Sequence, residues 1–393
     1  MAVRRIWTHE EIKAAADGNF ELLSTLNRRH LLQGGAAIAG ALALGPFIPG
    51  TARADIGGEV SLFTWEGFDM EPELKEWREK NGVTAKNSTM TTQDDVQGKL
   101  VGGSPVALDL TEYNQAYNKF YAEELGIIEP IDVSKVPNYN ANDIFAGFYQ
   151  GERWYWNNTQ WGIPFTWGLN SLVYNPAMME RPTSYADLLK PELKGKITII
   201  DDNTGTWPTA AIMGGVPGKY PNVTKEELAT LWEGMKPYRD QCKSFAASNG
   251  DVISMLVSGD IAACLNVWSG IPFETAKQNV KTDYVIPKEG AVMWCDAWFT
   301  PKTAKNRDTA LAYINETLAA APQASLANRA VTGVVTKGAV PLLDEATRAL
   351  FDYNDLDSVF KSAPMLGIPP RESTEFATYD EWVRAYEDFK TGI

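Results

Sequence analysis

The sequence predicts an α/β protein built of two lobes, with extended crossings between them and a ligand cleft at the junction. Three observations carry this reading. Short apolar strand runs alternate with helical runs through the first third of the chain. A second strand–helix series restarts at Lys196-Ile197-Thr198-Ile199-Ile200. Between the two lies an aromatic-rich extended stretch, Trp154 to Tyr174, with no Pro-rich linker, repeat or low-complexity tract.

Glu59 to Trp65 reads as the first strand, because Val60, Leu62 and Thr64 alternate with Ser61, Phe63 and Trp65. A helix over about Met70 to Lys80 stops at Asn81-Gly82, a usual helix ending. A strand near Val83, a helix from Gln93 to Val101, a strand at Leu108-Asp109-Leu110-Thr111 and a helix from Asn114 to Glu124 follow. Leu169 to Tyr174 forms an extended crossing. Helices over about Trp207 to Met213 and Lys225 to Met235, and strands at Ala262 to Val267 and Ala291 to Phe299, belong to the second series. From Asn306 onward the pattern is mostly helical. The expected division is 55–165 plus 297–340 for one lobe and 166–296 plus 341–393 for the other, with hinges near Phe165-Thr166 and Ala297 to Phe299.

The first 54 residues stand apart. Arg28-Arg29 precede Leu31-Leu32, an Ala/Gly/Leu/Ile run from Ala36 to Leu44 follows, and Ala52-Arg53-Ala54 resembles a cleavage site. This is the pattern of a twin-arginine export signal. An uncleaved anchor is the competing reading, since the apolar run is about 18 residues, near the lower limit for a span. Its Gly/Ala content, Pro46, Pro49 and the cleavage-like end favour removal. No cysteine marks a lipid anchor, and nothing after Asp55 is apolar for long enough to span a bilayer. A soluble, periplasmic, monomeric product is therefore expected.

Composition narrows the chemistry. The chain has 393 residues and a formal net charge of −14, which argues against nucleic acid and suits a cationic ligand. Roughly 340 residues remain after the leader, enough for two cores. His9 and His30, its 2 histidines, both lie in the leader. The exported part thus has no Ser-His-Asp or Cys-His machinery, and neither a Walker motif nor a dinucleotide fingerprint occurs in it. No catalytic residue, metal site or cofactor is expected, although a secreted hydrolase working through paired carboxylates is a possible alternative class. Cys242, Cys264 and Cys295 allow two equal readings: a Cys242–Cys264 disulfide, or three buried thiols.

What the chain does have is tryptophan, 13 in all, several beside acids at strand ends. Trp65-Glu66-Gly67-Phe68, Val267-Trp268-Ser269-Gly270 and Trp294-Cys295-Asp296 are the clearest. Strand alternation puts Trp294 and Asp296 on one face. An indole face beside a carboxylate suits an organic ammonium group. Taken alone, the motif fits a core tryptophan beside a capping aspartate better.

The order of motifs adds a resemblance. Leu62-Phe63-Thr64-Trp65, Ile163-Pro164-Phe165-Thr166-Trp167-Gly168, Ser184-Tyr185-Ala186-Asp187-Leu188, Lys190-Pro191-Glu192-Leu193-Lys194-Gly195-Lys196, Ile200-Asp201-Asp202, Asn266-Val267-Trp268-Ser269-Gly270, Pro287-Lys288-Glu289-Gly290 and Trp294-Cys295-Asp296 occur in sequence. Together they resemble the periplasmic spermidine/putrescine-binding proteins of ABC importers, within the family-1 extracellular solute-binding proteins. The resemblance implies the type II two-lobe binding-protein fold, hinge closure on a small cationic solute such as a polyamine, and a membrane permease as partner. It implies ligand aromatics at Trp65, Trp268 and Trp294, amine-binding acids at Asp202 and Asp296, a polar contact at Ser248 and a contact loop at Tyr113 and Asn114. Some positions depart from that pattern. Phe68 replaces a tyrosine, Gly205 stands where a second acid is expected, Val334 replaces a late aromatic, and Glu66 adds a carboxylate. These changes imply an ammonium pocket that is either weakened or moved toward Glu66. They also admit a monoamine, a zwitterion or an amino-sugar conjugate as the solute, with Arg371 as a candidate for an anionic group.

Overall fold

The computed structural model describes residues 56–90, 93–101, 105–216, 218–363 and 365–392, so the expected export leader lies outside the described residues. The strands are β1 (Gly58–Trp65), β2 (Val83–Met90), β3 (Leu110–Asn114), β4 (Ile128–Glu129), β5 (Tyr155–Trp156), β6 (Thr159–Gln160), β7 (Ile163–Tyr174), β8 (Ile197–Ile200), β9 (Cys242–Ala246), β10 (Ala263–Trp268), β11 (Asp283–Val285), β12 (Val292–Pro301) and β13 (Gly333–Val334). The main sheet runs β2-β1-β3-β12-β7-β10-β8-β9. Strands β2, β1 and β3 are parallel, as are β10, β8 and β9. The long strands β7 and β12 pair antiparallel with each other and with these flanks. Two parallel wings therefore meet on one antiparallel pair.

Each wing has its own core. Val60, Leu62, Phe63, Tyr117, Phe165, Trp167, Met293, Trp298 and Ile314 lie in the first. Leu172, Tyr185, Ile199, Trp207, Leu265, Trp382 and Phe389 lie in the second. Strand β7 thus passes from one core to the other between Leu169 and Leu172. The C-terminal region divides too: Phe351, Leu356 and Ala363 pack in the first core, and Ala377, Tyr379 and Tyr386 in the second.

The helix ends are chemically specified. Gly82 closes helix Lys75–Asn81 with a left-handed φ of 62°, which a glycine adopts without strain. Capping boxes open helix Lys225–Gln241 at Thr224 and Glu227, and helix Tyr379–Thr391 at Thr378 and Glu381.

The structure corrects three local expectations. The regular helix starts at Lys75, not Met70, because Met70 has a φ of 58° and the chain turns through Pro72. Residues 114–124 form a short 3-10 turn, Gln115–Tyr117, and a π-helical turn, Phe120–Glu124, rather than one helix. Strand β3 runs on to Asn114 because Glu112, Tyr113 and Asn114 pair with Trp298, Ala297 and Asp296 of β12. Of the two cysteine readings, the structure has free thiols at Cys242, Cys264 and Cys295, with the latter two buried. No helix among the described residues is long and apolar enough to cross a membrane.

Candidate solute-binding cleft

In an open α/β sheet, ligands gather beyond the carboxyl ends of parallel strands, where the topology switches direction. Here those ends are Trp65 on β1 and Asn114 on β3, beside the β12–β7 pair. Strand register then builds the site. Trp294 lies opposite Gly168, Asp296 opposite Thr166, and Val292 opposite Asn170. Asn170 is also opposite Trp268 on β10, and Asp296 is opposite Asn114 on β3. Residues directly opposite, and residues two apart, share a sheet face. Trp268, Trp294, Asp296, Asn114 and Glu112 therefore occupy one face at the seam between the wings.

Two glycines make room for the indoles. A β-carbon at Gly168 would stand 2.5 Å from the Trp294 ring, and one at Gly270 would stand 2.0 Å from the Trp268 ring. Phe68 meets Trp294 edge to face, with ring centroids 6.3 Å apart at 79°. Trp268 comes from the second wing, and its indole N–H donates to the Val331 carbonyl at 3.3 Å.

The acids are in a state unlike that of surface carboxylates. Asp296 is 5% exposed, and its Oδ1 has no hydrogen-bond partner among the described residues. Burial, reinforced by the charge of Asp202, pushes its carboxyl up to about 7. Asp202 caps helix Asn203–Met213, accepting from the Thr204 N–H and the Gly205 N–H, each at 3.1 Å, and from the Thr204 hydroxyl. Burial raises its carboxyl, and these hydrogen bonds oppose the shift. Asn114 spends its side chain on the Ala116 N–H at 3.1 Å.

Glu112 is the residue that sequence reasoning missed. It is fully buried on β3, takes the Trp65 backbone N–H on Oε1, and has no partner for Oε2 among the described residues. Burial and the charges of Asp296 and Asp69 hold its carboxyl well above the usual range. The available signal was an acid inside a strand that ends beside the Trp65 strand.

Other expected residues stand elsewhere. Tyr113 points to the opposite face, where it is buried against Phe299 and Tyr121 at centroid distances of 4.0 and 4.5 Å. Ser248 is an exposed helix cap whose hydroxyl accepts from the Asp251 N–H at 3.1 Å. Glu66 is exposed, and Trp65 and Phe68 are half-buried. Gly205 has no space for a side chain, since its β-carbon would stand 2.4 Å from the Asn266 amide. Val334 pairs with Thr166 and is buried in a small apolar cluster. Among the described residues, no group of acids or thiols is arranged to hold a metal ion.

Two wings meeting on a pair of long strands, with indoles and acids from both wings at the seam, make the architecture of a two-lobed binding protein. The chain belongs to the family described as bacterial extracellular solute-binding protein, which it matches over residues 74–347. It is similar to the spermidine/putrescine-binding periplasmic protein of Escherichia coli, with 27% identity over 292 residues, 73% of this chain and 78% of that protein. It is similar also to a putrescine-binding periplasmic protein of Pseudomonas aeruginosa, with 26% identity over 330 residues, 78% of this chain and 86% of that protein. Among solved structures, the spermidine/putrescine substrate-binding protein of Streptococcus pneumoniae has the same fold. The TM-score is 0.68 at 19% identity, covering 85% of this chain and 98% of that one.

Proposed function

We propose that this protein is the periplasmic receptor of an ABC importer and that its solute is a polyamine or a closely related organic cation. The observation that carries the reading is the company kept by the buried acids. The charges of Asp296 and Asp69 raise the Glu112 carboxyl, that of Asp202 raises the Asp296 carboxyl, and no lysine or arginine is among the groups that act on Glu112 or Asp296. Such charges are costly without a positive partner, and a solute ammonium supplies one. The faces of Trp65, Trp268 and Trp294 add cation–π attraction and apolar cover for the methylene chain. The work is binding and release, not catalysis. A solute that touches both wings binds the closed form better and shifts the population toward it, and the permease reads that form.

A second reading, a zwitterionic solute, has one observation in its favour. The Arg371 guanidinium is buried between the Phe120 and Tyr379 rings, 4.1 and 3.6 Å from their centroids; none of its nitrogens has a hydrogen-bond partner among the described residues, and Asp94 supplies a nearby negative charge. The Tyr379 hydroxyl accepts from Asn203, the residue after Asp202, at 2.7 Å.

Calorimetric titration of protein freed of solute by unfolding and refolding separates the two. Putrescine or spermidine binding at micromolar or better affinity, lost in Asp296→Asn, supports the polyamine reading. Silence with every amine and a response to a betaine or an ω-amino acid replaces it with the second.

A further inference from the structure

We propose that Glu112 is itself a solute-binding carboxylate. With Asp296 it forms a two-acid seat for a primary ammonium group, and the proton held by the pair in the solute-free protein leaves to the buffer when the ammonium enters. This rests on the cation-receptor reading above and names the chemical form of cation that the site takes.

The argument starts from strand register. Trp298 is opposite Glu112 and Asp296 is opposite Asn114, so the two acids project from neighbouring strands on one sheet face. Each offers one oxygen that nothing in the described protein uses: Oε2 of Glu112 and Oδ1 of Asp296. Glu112 is fully buried and Asp296 nearly so, and a buried acceptor left unpaired is costly. The groups that face the pair are the Trp65 N–H from β1, Asp69 from the loop after β1, and Asp202 from the cap of helix Asn203–Met213. None of them is a cation, so the pair cannot hold two negative charges cheaply. One retained proton is the cheap solution in the absence of solute.

An ammonium group replaces that proton with a full positive charge and three N–H donors, enough for the two spare oxygens. A quaternary ammonium has the charge but no N–H, and would leave both oxygens unpaired. The seat therefore selects –NH3+ over a trimethylammonium head. Asn266 fills the space beside Gly205, so no acid projects from that turn of the helix, and Glu112 supplies the additional carboxylate from the other wing.

The test is calorimetry with putrescine near pH 7 in two buffers of different ionisation heat. Wild-type protein is expected to release about one proton per solute bound. Glu112→Gln keeps an acceptor for the Trp65 N–H while removing the charge. It is expected to weaken binding at least about tenfold and to reduce proton release. The bis-trimethylammonium analogue of putrescine is expected to bind wild type far more weakly than putrescine does. Wild-type affinity and proton count in Glu112→Gln would overturn the proposal, while loss of binding in Asp296→Asn alongside leaves the cation receptor standing. If Glu112→Gln does not fold, absence of proton release from wild type overturns it just as well. If no amine binds wild type, both readings fall together.

Discussion

Asp296 carries a titration that the rest of the protein must tolerate. Its folded carboxyl sits at about 7 against an ordinary value of 3.8, so the native state keeps the proton that the unfolded chain has already lost. The stability that depends on this proton is full below the ordinary carboxylate range and is lost as pH rises toward about 7. Thermal unfolding of the solute-free protein is therefore expected to fall across that window, and Asp296→Asn is expected to flatten the fall. Affinity for a cationic solute is expected to move the opposite way, rising with pH over the same range. Asp202 separates structure from recognition. Asp202→Asn keeps the helix cap and removes the charge, so unfolding should barely shift while amine affinity drops. Asp202→Ala should also cost about 1 kcal/mol of stability through the lost cap. At Gly168, alanine would drive a methyl group into the Trp294 ring. Overpacking of this kind costs about 1–3 kcal/mol. The expected result is a lower melting temperature together with weaker binding, followed by calorimetry and tryptophan fluorescence.

Elements were legible in the sequence where local chemistry decides them, and less so where pairing does. The alternation in Glu59–Trp65, the stop at Gly82 and the indole–acid spacing of Trp294 and Asp296 are local, and the described structure contains each of them. The sequence pattern ends strand β3 at Thr111, whereas its last residues become a strand only through their partners on β12. Glu112 lies in the part of the strand that pairing alone specifies. The resemblance groups Tyr113 with Asn114, although adjacent strand residues face opposite sides. Ser248 shows the reverse: Ser248 and Asp251 have the spacing of a helix start, and the structure uses the hydroxyl as a cap. At the level of elements, Trp268 is the test of contact between wings. Trp268→Phe keeps a smaller aromatic face and removes the N–H that reaches Val331. It should weaken solute binding modestly, by about 1 kcal/mol or less, mainly through faster release in stopped-flow fluorescence.

For the whole molecule, the proposed function makes binding and closure one event. Contacts between the wings are made at several separate places: Trp268 to Val331, the Tyr117 and Tyr379 hydroxyls at 3.2 Å, and Arg371 between Phe120 and Tyr379. Small-angle scattering is expected to show a smaller radius of gyration when putrescine is added, and no change with Asp296→Asn at the same concentration. The weave of the chain has a consequence for its birth on the ribosome. Strand β3 finds its second neighbour only in β12, at the middle of the sheet, and the first core also needs Ile314, Leu356 and Ala363. When the first 170 residues have been synthesised, the first wing still lacks β12 and those core residues. Its apolar strands must wait, unfinished, until nearly the last residue has been translated, so the nascent chain is expected to need a holding chaperone throughout synthesis.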